Sequence, residues 1–166
     1  MIEYTQLPLF DPIQIPITKG LITLISPCDA DLAMLNWCIS SGYATKRLRE
    51  KGKRAMIRMH RIILERMIGR SLRTGEQCDH INGDRLDNRR ENLRLCTPGQ
   101  NMMNRKRPPN NTSGFKGVRP MKKRFQAYIK YKRKYIVLGS FDTPEEAHNA
   151  YVEAAKKLFG EFANTD

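Results

Sequence analysis

The chain has 166 residues, with thirty Lys and Arg against seventeen Asp and Glu, a net charge of +13 and an isoelectric point near 9.9. That length buries one ordinary core or two or three small modules, and that charge asks for a polyanion, nucleic acid first, because phosphate contacts release counterions. No apolar run approaches the roughly 18 to 20 residues a bilayer span requires, which leaves a membrane surface as the weaker partner. Glu3 and the lack of Lys or Arg before Lys19 leave out the basic region of a secretory signal, so a cytoplasmic protein is expected. Cys28, Cys38, Cys78 and Cys96 form no C-x-x-C pair, which favours buried thiols over a zinc ribbon or a disulfide scaffold.

In chain order, residues 13–25 read as two short strands turned at Thr18-Lys19-Gly20. "PCDADLAMLNWC" then places Leu32, Leu35 and Trp37 at helical spacing behind an Asp29 cap. "GYATKRL" and "RAMIRM" read as strands, and "MHRIILERMIG" as a helix stopped by Gly69. "EQCDHI" is a strand, "NGD" a tight turn, and "LRLC" a returning strand, with a helix beginning near Pro98. "RKRPPNNTSG" has the composition of a linker. Beyond it "KGVRP", "RFQAYIKYK" and "KYIVLGSF" alternate as strands, and a helix follows with Thr143 as cap, Pro144 at its first position and Glu146 completing a capping box.

The stretch 78–101, "CDHINGDRLDNRRENLRLCTPGQN", sets Asp79 beside His80 and puts Asn92 and Asn101 twelve and twenty-one residues after that histidine. A histidine is suited to activate water near neutral pH. A carboxylate and an amide oxygen are hard ligands for Mg²⁺ or Mn²⁺ that leave positions for water and phosphate oxygens. Together these types make a hydrolytic site for a phosphodiester, set against the plainer reading in which asparagines satisfy turns. His60 and His148 read as structural.

These residues resemble the HNH nucleases, whose ββα-metal site has the pattern D-H, an Asn twelve residues on and a final His or Asn on the next helix. "DHINGDRLDNRRENLRLCT" is similar to the phage and intron-encoded branch, over roughly residues 59–105. The resemblance implies a metal-dependent homing endonuclease with His80 as general base, Asp79 and Asn101 holding the metal, and Asn92 bracing the hairpin and orienting His80. It implies Mg²⁺, or Mn²⁺, as cofactor, and double-stranded DNA as partner. Asn stands at the last position where many members have His, which turns the expectation away from Zn²⁺ and Ni²⁺. Arg85, Arg89 and Arg94, with Arg90 nearby, are candidate phosphate clamps.

The C-terminal segment resembles the DNA-binding domain of the Apetala and ethylene-response-factor type, on "GVR" and "LGSFDTPEEAHNAY". That likeness implies a sheet entering the major groove with Lys116, Arg119, Lys122, Arg124, Lys130 and Lys132 facing DNA. Phe125, Tyr128 and Val137 depart from residues common in those proteins, so base specificity does not carry over. From Asn101 to Tyr135 there are twelve cations and no Asp or Glu, a run that a polyanion neutralises. The fold class expected is α+β: an N-terminal α+β module (1–58), a ββα-metal nuclease unit (59–106), a linker (107–114) and a three-stranded antiparallel sheet on one helix (115–166). A monomer in a bacterial host or phage-infected cell is expected. A catalytically silent DNA-binding regulator is the second reading, and a basic RNA-associated protein the third, disfavoured by the lack of a row of exposed aromatics for single-stranded bases.

Overall fold

The computed structural model describes residues 11–50 and 53–165, without the side chains of residues 50, 53 and 54; the stretch around Glu3 lies outside them. The chain divides into two compact units, one ending at Leu95 and the other starting at Cys96.

In order, the first unit holds β1 (Ile13–Ile17), β2 (Leu21–Ile25), a 3₁₀ segment (Pro27–Met34), β3 (Cys38–Ser40), β4 (Tyr43–Glu50), β5 (Lys53–Arg58) and helix α1 (Met59–Ile68). Strands β6 (Gln77–His80), β7 (Asp87–Asn88) and β8 (Leu93–Cys96) follow, the last residue of β8 opening the second unit. β1 and β2 pair antiparallel, so the two-residue period sends Ile15, Ile17 and Ile25 inward to meet Leu32, Trp37, Ala44, Met59, Ile63 and Leu93. The expected boundary at residue 58 falls inside this continuous core.

Two features of the first unit differ from the sequence expectation. β6 does pair with β8, but "NGD" does not join them directly: β7 intervenes and runs parallel to β2, with Leu24 opposite Asp87 and Ile25 opposite Asn88. Asp29 caps nothing; fully buried, it accepts from Arg66 Nη1 at 3.1 Å and from Arg90 Nε at 2.7 Å, tying the 3₁₀ segment to α1 and to the β7–β8 loop. Burial pushes its carboxyl up, and the two guanidiniums outweigh that and hold it below the ordinary range. The cysteines form no disulfide; Cys96 is buried, Cys38 and Cys78 are half-buried, and Cys28, against expectation, is exposed.

The second unit holds α2 (Pro98–Met103), β9 (Val118–Pro120), β10 (Phe125–Tyr131), β11 (Lys134–Phe141) and α3 (Pro144–Phe159). Its strands form one antiparallel sheet in the order β11-β10-β9. Thr143 and Glu146 make the capping box of α3, which turns Ala147, Tyr151, Ala155 and Phe159 into the core at every fourth position. Those side chains meet Val118, Ala127 and Ile129 from the strands. Gly117 lies so close to Tyr151 that a Cβ there would come within 2.0 Å of the ring. The linker-like stretch is irregular yet pinned: Lys116 Nζ donates to the carbonyls of Met103, Arg105 and Asn164, and Asn111 Nδ2 to that of Phe115.

Candidate active site

The site is built on β6, whose last two residues, Asp79 and His80, are both buried. Alternate strand residues face opposite ways, and the two side chains keep different company. Asp79 Oδ2 accepts from Arg94 of β8, from Nε at 2.9 Å and Nη2 at 2.8 Å. His80 turns toward α1 and β7: its ring stands edge-on to His60 at 5.1 Å and 6.1 Å from Tyr43, and its Nε2 lies 3.1 Å from Asn88 Oδ1.

That last contact determines which nitrogen of His80 carries the proton. Thr23 Oγ1 is 2.7 Å from the carbonyl oxygen of Leu86, which can only accept, so the single hydroxyl hydrogen points there. Thr23 therefore accepts from Asn88, whose Nδ2 is 2.7 Å away. With its amide nitrogen on Thr23, Asn88 presents Oδ1 to His80, and His80 must hold its hydrogen on Nε2. The basic lone pair is then on Nδ1. Burial is the main influence on this ring and, despite the opposing Asn88 contact and nearby aspartates, holds its pKa below the usual histidine value.

Asn92, expected to brace the hairpin and orient His80, makes its side-chain bonds to the loop backbone. Its Oδ1 accepts from the Asn82 backbone N–H at 3.0 Å and its Nδ2 donates to the Asp87 carbonyl at 2.7 Å, locking the loop between β6 and β8. Asn88 lies against His80; in the sequence it is one of four asparagines in a turn-rich stretch, with only its adjacency to Asp87 to mark it. His60, structural by its sequence context, is indeed buried, but it lies against His80 and leaves Nδ1 without a hydrogen-bond partner. Asn101 stands half-buried on α2, its N–H bonded to Thr97 at 3.0 Å.

The arginines divide by partner. Arg89 holds Asp87 through Nε and Nη2, both at 2.8 Å, and pairs with Glu91; Arg94 holds Asp79. Arg85 is exposed, with its guanidinium 4.7 Å from the Tyr43 ring centroid. In the second unit Lys116 serves backbone carbonyls, and Arg124 pairs with exposed Asp142. Register puts Arg119 opposite Gln126, Tyr128 opposite Val137 and Lys130 opposite Tyr135, on the sheet face turned away from α3. Lys122 and Lys132 are exposed in the two turns. Tyr128 and Tyr135 lie 5.9 Å apart on this face, Tyr128 half-buried and Tyr135 67% exposed, so the sheet carries one exposed aromatic that the sequence expectation leaves out.

Among the described residues no three His, Cys, Asp or Glu side chains converge as a metal cage. The Asp79 carboxylate is a hard oxygen donor of the kind Mg²⁺ or Mn²⁺ takes together with waters and phosphate oxygens. No helix among the described residues is long and apolar enough to cross a membrane.

Residues 58–103 match the family model described as HNH endonuclease. The chain is 33% identical over 108 residues to an uncharacterized HNH endonuclease of Acanthamoeba polyphaga mimivirus, a match covering 64% of this chain and 56% of that protein. It is 46% identical over 50 residues to Protein 3.8 of Escherichia phage T7, covering 30% of this chain and 41% of that protein. The chain thus spans about half the length of the curated relatives it matches. No solved structure matches it significantly. These likenesses place a segment similar to HNH endonucleases at residues 58–103, which contains Asp79, His80, Asn92 and Asn101.

Proposed function

We propose that the chain is a metal-dependent DNA endonuclease of the HNH homing type, with His80 as general base. The observation that carries this is the contact of buried His80 Nε2 with Asn88 Oδ1 at 3.1 Å, the Asn88 amide nitrogen lying on Thr23; a neutral imidazole so placed donates from Nε2 and keeps its basic lone pair on Nδ1. His80 takes a proton from water as the water oxygen bonds to phosphorus, and the phosphorus–oxygen bond to the sugar breaks, the departing sugar oxygen taking a proton from solvent. Asp79 is the carboxylate that would hold the metal, with Asn101, by resemblance, as a second oxygen donor. When bound, Mg²⁺ or Mn²⁺ supplies Lewis-acid stabilisation of charge on the phosphate. Asn92 keeps the loop closed so that Asn88 and His80 stay in register.

The second unit is the proposed targeting part, gripping duplex DNA through the face that carries Arg119, Tyr128, Lys130 and Tyr135, with Lys122, Arg124 and Lys132 at its turns, in the manner of the Apetala-type sheet. A catalytically silent DNA-binding regulator is the second reading, and one observation favours it: Arg94 already neutralises Asp79.

Incubating supercoiled DNA with the protein and Mg²⁺, and separately with EDTA, tests the proposal. Cleavage that needs Mg²⁺ and falls by about 10² to 10⁴ in His80→Ala, with DNA binding intact, is the expected result. Binding without cleavage at any Mg²⁺ or Mn²⁺ concentration selects the silent regulator.

A further inference from the structure

We propose that the solvent face of the β3-β4-β5 sheet is a phosphate-binding surface that seats a DNA strand beside His80, a role that rests on the endonuclease reading above. Thr45 lies opposite Arg58 and Arg47 opposite Met56, and residues opposite or two apart in an antiparallel sheet share a face. Tyr43, Thr45, Arg47, Arg49, Met56 and Arg58 therefore share a face, small Thr45 buried among the longer side chains, while Ala44 of the other face is buried in the core. Arg47, Arg49 and Arg58 are exposed, and Met56 is 62% exposed between them.

At its inner end this face reaches the candidate site. Tyr43 packs 4.8 Å from His60 and 6.1 Å from His80, and two guanidiniums lie against its ring, Arg58 at 4.9 Å and Arg85 at 4.7 Å. Arg85 is held there from below: Nη1 donates to the Ser41 carbonyl at 3.1 Å, and a Cβ on Gly42 would come within 3.3 Å of that nitrogen. The Ser41-Gly42 turn between β3 and β4, with φ of 51° and 81°, is thus the seat of an arginine.

Charge points to the occupant. Arg61, Arg66, Arg70, Arg89, Arg90 and Arg94 of this unit each pair with a carboxylate. Arg47, Arg49, Arg58 and Arg85 take part in no ion pair formed among the described residues; the first three line one sheet face, and Arg85 stands over Tyr43 at its His80 end. Two guanidiniums crowding one ring with no carboxylate between them repel each other until an anion enters. Arg47 and Arg49, two apart on β4, are separated by about 6.6 to 6.8 Å along the strand, comparable to the spacing of successive phosphates. A nucleic acid strand fits better than an anionic lipid surface because the basic track is continuous with a group that acts on phosphodiesters.

The test uses the full chain in EDTA, so that nothing is cut, with a fluorescent duplex and anisotropy read across a salt series. Arg47→Gln/Arg49→Gln should lower the log–log salt slope by about 1.8, at about 0.9 for each phosphate no longer neutralised, with an unchanged thermal melt. Arg70→Gln, which removes an arginine already paired with Glu76, should leave the slope as it is. An unchanged slope in the double variant, with duplex still bound and cut by the wild type, overturns this proposal alone. So does a double variant that loses binding to phosphatidylserine vesicles and not to duplex. A wild type that neither binds nor cuts DNA overturns the endonuclease reading as well.

Discussion

Replacing His60 by Phe should flatten the loss of stability of the first unit on acidification. The ring is 6% exposed, packed on Tyr43 and His80, with Nδ1 unpartnered. Burial first, then His80 and the arginines 58, 61 and 85, push its pKa from 6.5 down to about 3. In the unfolded chain it binds a proton near 6.5; in the folded chain it refuses one until about 3. Between those values the unfolded state holds one more proton, so stability falls as pH falls, by about 1.4 kcal/mol for each pH unit. At pH 4.5 the deficit relative to neutral pH is about 2.7 kcal/mol from this residue. The depressed carboxylates Asp29, Asp31, Glu76 and Asp87 contribute stability that is lost only as pH falls below their ordinary values, which separates the two windows. His80 adds loss of the same sign in both proteins. Trp37, the single tryptophan, is buried in the first unit and reports its urea unfolding by fluorescence. Equal slopes of unfolding free energy against pH from 6.5 to 4.5 in wild type and His60→Phe refute the reasoning.

Two further substitutions probe the structure at other points. Thr23→Val removes the hydroxyl that orients Asn88; losing a hydrogen bond worth about 1 kcal/mol should mix the His80 tautomers and slow cleavage about fivefold without changing KM. Thr23→Ser should restore the rate, and wild-type ¹⁵N shifts for His80 in Thr23→Val contradict the relay. In the β10–β11 turn Lys132 and Arg133 have φ of 46° and 67°, a left-handed pair with no glycine. Arg133→Gly should therefore stabilise the second unit by about 1 kcal/mol, seen as a higher melting temperature; a lower one contradicts the strain assigned to the turn.

Local rules carry far in this chain where the structure-making interaction is itself local. The capping box at Thr143 and Glu146, the stop at Gly69 and the strand alternation of β10 are all written within a few residues of where they act, and they are legible in the sequence. The Asp29 clamp is not, because its partners Arg66 and Arg90 lie thirty-seven and sixty-one residues away. A cap and a clamp ask for the same residue at that position. The unity of residues up to Leu95 has the same source, since β2 takes its neighbour β7 from beyond α1. Composition cannot announce such a pairing when the incoming strand is the two residues Asp87 and Asn88.

The candidate site shows the same limit in its chemistry. Spacing from His80 singles out Asn92, and resemblance gives Asn92 both the bracing and the orienting role, whereas the asparagine seen against the His80 ring is Asn88. Asn92 is positioned by the Asn82 N–H and the Asp87 carbonyl, so both ends of its amide are engaged within the loop. Asn88 is positioned by Thr23, sixty-five residues earlier and outside the segment that matches the family model. The proton location on His80 is therefore set by a hydroxyl on β2, and the N-terminal strands are not a separate appendage to the hairpin. For the same reason, a fragment cut down to residues 58–103 would keep Asp79, His80, Asn92 and Asn101 and lose the group that fixes the tautomer, so its cleavage should be slower than that of the full chain even where it folds.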